Sequence, residues 1–261
     1  MTASARPSDN QPPSPEGIPT GTRAMLFAAG LGTRLKPFTD HHPKALAPVN
    51  GKPLLQRNIE YLRQAGICDI LVNLHHCADQ ISDFLQAHED FGARITLSVE
   101  QPVPLETGGG LLKAAWFFTE AGGPFIVMNA DILTNLNLPA MYRWHLAHQA
   151  MATLAVTRRE SSRQLLFDAE MRLSGWQHVK TGETRMARPE ASASQPFAFS
   201  GVHIIEPKLL QSIRQSGVFS IIDSYLDLAS ALDIRGYLHE GDAVVDVGRP
   251  ESIQEAERWF H

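Results

Sequence analysis

The sequence predicts an α/β fold: a mainly parallel central sheet with helices on both faces and a small antiparallel extension. Three observations carry this. From Arg23 onward, short β-branched or apolar runs alternate with helical patterns, the arrangement of βαβ units. Beyond about residue 150 the texture changes to strands joined by tight turns. The first apolar run is also followed by a long loop rich in glycine and cations, at the edge where open α/β sheets place ligands.

The elements follow in order. MLFA (25–28), DILVNL (69–74), RITLSV (94–99) and PFIVMN (124–129) read as buried strands. Between them, Pro53–Ala65 sets Leu55, Ile59 and Leu62 on one helical face, and Pro53 suits a helix start. Ala78–Ala87 does the same with Ile81, Phe84 and Leu85. Thr107–Phe118, at a glycine triplet, and Pro139–Gln149 are further helices. TLAVTRR, QLLFDAEMRLSGW and FAFSGVHII then read as strands, and helical patterns return at Pro207–Ile213, Ile221–Ala231 and Pro250–Phe260. No linker, repeat or hexapeptide pattern divides residues 23–261, which read as one domain. Residues 1–22 hold five prolines and no apolar run. They read as a disordered tail without the h-region of a secretory signal.

Bulk properties exclude several classes. The 261 residues are 43% hydrophobic, yet no stretch approaches the roughly 18 apolar residues of a membrane span. A net charge of −5 argues against a nucleic-acid surface. Cys68 and Cys77 fit no disulfide framework, so a cytoplasmic setting is expected.

Within Ala29–Lys44, Gly30 and Gly32 allow close backbone approach, so that successive N–H groups can face phosphate oxygens. Thr33, Arg34 and Lys44 add a hydroxyl and two cations. The spacing is G-x-G-T-R, neither the G-x-G-x-x-G of dinucleotide sites nor a P-loop. Alone, it reads equally as a tight turn with solvated cations. Arg34 and Lys44, with Pro43 stiffening the approach, favour a polyphosphate. Asp131 and Asp246 each follow a β-branched or apolar run and are candidate Mg²⁺ ligands, although a lone Asp there also suits a cap or turn. Thr107 and Gly108–Gly110 read as a cap with close helix packing, or as bare backbone approached by a base. Gln101 suits a base edge or a plain surface position, and Asn129 suits ribose or sugar hydroxyls. His75, His76 and Cys77 lack a second pair for zinc. His145 and His148 read as solvated, and Met141, Tyr142 and Trp144 as core or interface. FSGV is no nucleophile elbow.

The stretch AAGLGTRLKPFTDHHPKAL resembles the signature loop of the sugar-1-phosphate nucleotidyltransferases. The resemblance implies a Rossmann-like nucleotide-diphospho-sugar transferase fold and Mg²⁺-dependent joining of a sugar 1-phosphate to an NTP. It implies that Ala29, Gly30, Gly32 and Thr33 wrap the triphosphate, Arg34 holds the leaving pyrophosphate and Lys44 contacts the reacting phosphates. Asp131 and Asp246 match the metal positions. Gln101, Thr107 and Gly108 fall to the base, and Asn129, Arg163 and Gly201 to the sugar side. PLETGGG, FAFSGVHIIEP and VVDVGRPESIQEAE are similar to the N-acetylmuramate-1-phosphate uridylyltransferases of cell-wall recycling, implying UTP. TRRESSRQLLF (157–167), the length of residues 177–196 and Val244 depart from that pattern; in the first, Arg158, Arg159 and Arg163 stand beside the expected sugar subsite, to pair with a sugar carboxylate, to hold the 1-phosphate or to face water. A GDP-heptose- or GDP-mannose-type guanylyltransferase is the alternative, and a non-catalytic nucleotide-sugar-binding regulatory subunit the alternative of another class. A monomer or small homo-oligomer is expected.

Overall fold

A computed structural model describes residues 17–191 and 194–261. Of the expected tail, residues 1–16 lie outside the described residues. Ile18 is already 9% exposed and packs into the core, so the folded region begins before residue 23.

Strands β1 (Arg23–Phe27), β2 (Asp69–Leu74), β3 (Arg94–Val99) and β4 (Phe125–Asn129) lie parallel in the order β4-β1-β2-β3. Ala24, Met25, Leu26, Ile70, Leu71 and Val72 are fully buried. Burial on both faces explains why these strands read as continuous apolar runs rather than alternating ones.

The sheet continues through β5 (Ala152–Thr157), β6 (Arg163–Phe167), β7 (Leu173–His178), β8 (Thr184–Met186), β9 (Gln195–Ile205) and β10 (Ile234–Leu238). The long β9 runs antiparallel to β4, β5 and β6, and β6, β7 and β8 form an antiparallel meander. Since β9 opposes both β4 and β5, those two run parallel to each other, and β10 runs parallel to β5. The carboxyl ends of β1, β4, β5 and β10 therefore open on one edge. At Gly201 (φ 72°) the β9–β5 register shifts, which makes a bulge. A Cβ there would lie 2.7 Å from Ile132 Cγ1 and 3.1 Å from Asn129 Nδ2, so glycine is required twice over.

Helices α1 (Leu54–Gln64), α2 (Ala78–Ala87) and α5 (Leu138–His148) cover one face through Leu55, Ile59, Leu62, Ile81, Met141 and Tyr142. On the other face lie α3 (Glu106–Lys113), α4 (Ala115–Thr119), α6 (Pro207–Leu210) and α7 (Ile221–Leu228), with Phe117, Phe118, Leu209 and Tyr225 in the core. Helix α8 (Pro250–Trp259) packs separately, joining Ala256 to Leu35, Val49, Leu133, Val245 and Val247. Among the described residues, no helix is long and apolar enough to cross a membrane.

Several expectations need correction. The helix expected over Thr107–Phe118 breaks at Ala114, whose ψ of 3° lies outside the helical range. The helix expected to Ile213 ends at Leu210, and the one expected to Ala231 ends at Leu228. Strand β10 was not expected, since IRGYL lacks a clean alternation. His145 is not solvated: it is 1% exposed, its Nδ1 lies 2.8 Å from Thr153 Oγ1, and burial pushes its pKa down to about 4.

Candidate active site

The loop after β1 is held by its own turns. Short 3₁₀ turns at Thr33–Leu35, Phe38–Asp40 and Lys44–Leu46 interrupt it, and Leu35 anchors it in the α8 cluster. Gly32 (φ 62°) accepts hydrogen bonds at its carbonyl from Thr39 Oγ1 (2.9 Å) and the Leu35 N–H (2.8 Å). A Cβ on Gly32 would meet Thr39 Cγ2 at 2.8 Å and Lys44 Cβ at 3.0 Å. The two ends of the loop therefore touch, which brings Lys44 back beside the glycines. Ala29 is buried beneath them, while Gly30, Thr33 and Arg34 face outward, with open space at Gly30 where a side chain would stand.

The two acidic candidates come together by strand pairing. Ile132–Thr134 and Val244–Asp246 form a two-stranded antiparallel ribbon, with Asp246 opposite Ile132. The Val247 N–H also donates to the Asp131 carbonyl at 2.9 Å. Lys44 Nζ donates to Asp131 Oδ2. Asp246 keeps a face open to solvent, yet lost hydration raises its pKa and the Asp131 charge raises it further; Lys44, Arg34 and Arg159 oppose this. Arg34 reaches the same place, since a Cβ on Gly248 would lie 2.8 Å from Asp246 Oδ1 and 3.0 Å from Arg34 Nη2. Arg34, Lys44, Asp131 and Asp246 thus converge at the carboxyl edge of the sheet. Two carboxylates with like charge suit a hard divalent cation that fills its remaining positions with phosphate oxygens and water. Among the described residues, no group of three or more His, Cys, Asp or Glu forms a self-sufficient metal cage.

Other assigned residues fall differently. Thr107 does not cap its own helix: its Oγ1 accepts from the Ile221 N–H at 3.0 Å and so caps α7. The side-chain direction of Gly108 is filled by the Phe219 ring, that of Gly109 by the Gly217 carbonyl, and that of Gly110 by Glu100 and Asn73. Close packing alone accounts for glycine at these three positions. Gln101 is exposed beside this segment, and Asn129 is half-buried at the end of β4, against Gly201. Arg163 is exposed at the start of β6, opposite His178. Arg159 shares the electrostatic neighbourhood of Asp246.

One buried network escaped sequence reasoning. Glu100 is 0% exposed and accepts from Asn73 Nδ2 (2.7 Å) and from the Leu105 N–H (2.6 Å). Asn73 Oδ1 in turn accepts from the Ala28 N–H at 2.7 Å. The ends of β1, β2 and β3 are thereby tied to the segment entering α3. The available signal was a lone acidic residue closing an apolar strand, RITLSVE.

Two cations, two carboxylates and an open glycine loop share this sheet edge, and comparison with known proteins specifies the class. The Nucleotidyl transferase family matches residues 23–167. The chain is 32% identical over 242 residues to the N-acetylmuramate alpha-1-phosphate uridylyltransferase of Caulobacter vibrioides, covering 90% of this chain and 95% of that protein. The enzyme of the same name from Neisseria meningitidis is 30% identical, with 90% and 96% covered. The mannose-1-phosphate guanyltransferase beta-B of Xenopus laevis is 27% identical, with 88% and 62% covered. In fold, HddC from Yersinia pseudotuberculosis, solved with GMP-PN, superposes with a TM-score of 0.73 at 22% identity, covering 92% of this chain and all of that one. The chain belongs to the sugar-1-phosphate nucleotidyltransferase family, and the activity that defines this family is its own.

Proposed function

We propose that the protein joins N-acetylmuramate 1-phosphate to UTP, giving the UDP-sugar and pyrophosphate. The reading rests on the convergence of Arg34, Lys44, Asp131 and Asp246 on one edge. The uridylyl and muramate assignment is supported by two relatives at 30% and 32% identity over nine-tenths of the chain.

In this reading an oxygen of the sugar phosphate attacks the α-phosphorus in line. The bond from that phosphorus to the bridging oxygen breaks, and pyrophosphate leaves with the electron pair. The attacking group is already an anion, so no general base is needed; the protein contributes orientation and charge stabilisation. The loop N–H groups from Gly30 to Thr33 cradle the triphosphate. Arg34 offers a planar fork to the departing pyrophosphate, and Lys44 moves from Asp131 toward the α-phosphate. Asp131 and Asp246 would hold Mg²⁺, whose chemistry is neutralisation of phosphate charge.

Pyrophosphate release from four NTPs against a panel of sugar 1-phosphates tests the proposal. UTP with N-acetylmuramate 1-phosphate is expected to give the highest kcat/KM. A maximum with GTP and mannose or heptose 1-phosphate would transfer the assignment to the guanylyl reading, which the Xenopus relative favours. Nucleotide-sugar binding without any turnover would indicate the regulatory-subunit reading.

A further inference from the structure

A cavity of about 330 Å³ is lined by Thr157, Arg158, Arg159, His239, Glu240 and Asp242, and it reaches Val244, two residues before Asp246. Its position follows from strand direction. Thr157 ends β5 and His239 follows β10, and both strands finish on the edge that carries the phosphate loop. From β4, which leads to Asp131, to β5 the sheet takes two steps through β9. At roughly 4.8 Å per step this is about 10 Å, near the reach of a substituted hexose.

The lining is polar and carries two arginines and two carboxylates, of which Arg158 and Glu240 pair with each other. Thr157 Oγ1 is buried without a hydrogen-bond partner, a state that favours a ligand hydroxyl or amide. Asp242 is held by His239, whose Nδ1–H donates to Asp242 Oδ2 at 3.1 Å, while Ser200 Oγ donates to Nε2 at 2.9 Å. His239 is 4% exposed, so this brace is internal. Of the two arginines, Arg158 is engaged with Glu240 at 3.0 Å and lies over the Phe197 ring. Arg159 Nη2 donates to the Phe199 carbonyl at 2.9 Å, which fixes the guanidinium next to the bulge at Gly201. A guanidinium has five donors, so this bond aims the group without using it up.

We infer that Arg159 is a specificity-determining residue: it pairs with a carboxylate carried on the sugar, so the enzyme favours sugar 1-phosphates with an acidic substituent. The inference rests on the proposed reaction. The 1-phosphate belongs with Lys44 and the two aspartates, and the sugar arm then extends toward the cavity. Asp242 and Thr157 take its neutral polar groups. Arg163, which does not line the cavity, takes no part.

The test compares kcat/KM with UTP for N-acetylmuramate 1-phosphate and N-acetylglucosamine 1-phosphate, which differ by the lactyl carboxylate. The parent is expected to prefer the acidic sugar at least tenfold, the ratio that 1.4 kcal/mol supplies. Arg159→Gln is expected to collapse that ratio toward one, chiefly by lowering the acidic sugar's rate. Arg159→Lys, which keeps the charge but not the fork, should restore part of it, and Arg163→Gln should leave the ratio as in the parent. Melting temperatures within a few degrees of the parent would confirm that the variants fold. Equal losses on both sugars in Arg159→Gln would overturn the inference, because Arg159 would then serve the shared 1-phosphate. A preference that survives in Arg159→Gln would overturn it also, with the reaction left intact. Absence of pyrophosphate release by the parent with every sugar phosphate would instead overturn the reaction, and the inference with it.

Discussion

Replacing Glu100 by Gln tests whether the buried network at the ends of β1, β2 and β3 sets the nucleotide edge. The carboxylate is 0% exposed and accepts from the Asn73 amide at 2.7 Å and the Leu105 N–H at 2.6 Å. A glutamine of the same shape has one acceptor oxygen where the carboxylate has two. One donor is then met by an NH₂ group, so one charge-assisted bond is lost and a buried donor is left without an acceptor. Together these cost about 2–3 kcal/mol. At roughly 2–4 °C per kcal/mol for a domain this large, the melting temperature should fall by about 4–12 °C. Thermal unfolding followed by circular dichroism measures it. Asn73→Ala combined with Glu100→Gln should show coupling above about 0.5 kcal/mol, since the two side chains share a hydrogen bond. The nucleotide KM should rise as well, because the same network holds Ala28 and Leu105 in place. A Glu100→Gln protein melting within a degree of the parent, or strict additivity with Asn73→Ala, would refute the reasoning.

Further outcomes are expected. Lys44→Ala should lower kcat by about a hundredfold or more, as removal of a preorganised electrostatic donor does; pyrophosphate release at saturating substrates measures it, and near-normal turnover would make Lys44 ordinary loop surface. Asp131→Asn and Asp246→Asn should each lose Mg²⁺-dependent turnover, because a neutral amide is a poor ligand for a hard cation. Mg²⁺ with nucleotide should raise the melting temperature of the parent but not of Asp246→Asn, and an equal rise in both would remove Asp246 from the site. Burial pushes His145 down to about 4 and His203 to about 3, both below the ordinary 6.5. The folded state therefore binds fewer protons than the unfolded chain, and stability that is complete above about pH 6.5 is lost as pH falls toward 4 and then 3. His145→Gln should flatten the upper part of that loss, measured as melting temperature between pH 7 and 4.

The parallel half of the sheet was legible because burial on both faces writes itself as uninterrupted apolar runs, as in DILVNL and PFIVMN. The glycine-rich loop stood out for the opposite reason: Gly30 to Lys44 places many polar residues where packing asks for few. Strand β10 was hidden by Arg235 and Gly236, the latter packed against Met171 and Phe167, contacts that no local pattern encodes. The choice between Arg159 and Arg163 depends on the path of the chain between β5 and β6 and on the bulge at Gly201. Thr107, Gly108 and Gly109 were read by local position, whereas their partners come from Gly217 to Ile221, far along the chain. His145 misled in the same way, since Thr153 and not the helix pattern decides its burial.

The ribbon that joins Ile132–Thr134 to Val244–Asp246 also sets a chronology. Synthesis proceeds from the amino end, so the loop around Gly32, then Asp131, then Arg159 emerge well before Asp246. A growing chain that has reached only α7 already contains the residues of the four parallel strands, together with Lys44 and Asp131. It lacks the second carboxylate and the helix whose Ala256 braces Leu35 at the base of the loop. A growing chain therefore carries the glycine loop and one carboxylate before the strand that brings the second can pair beside it.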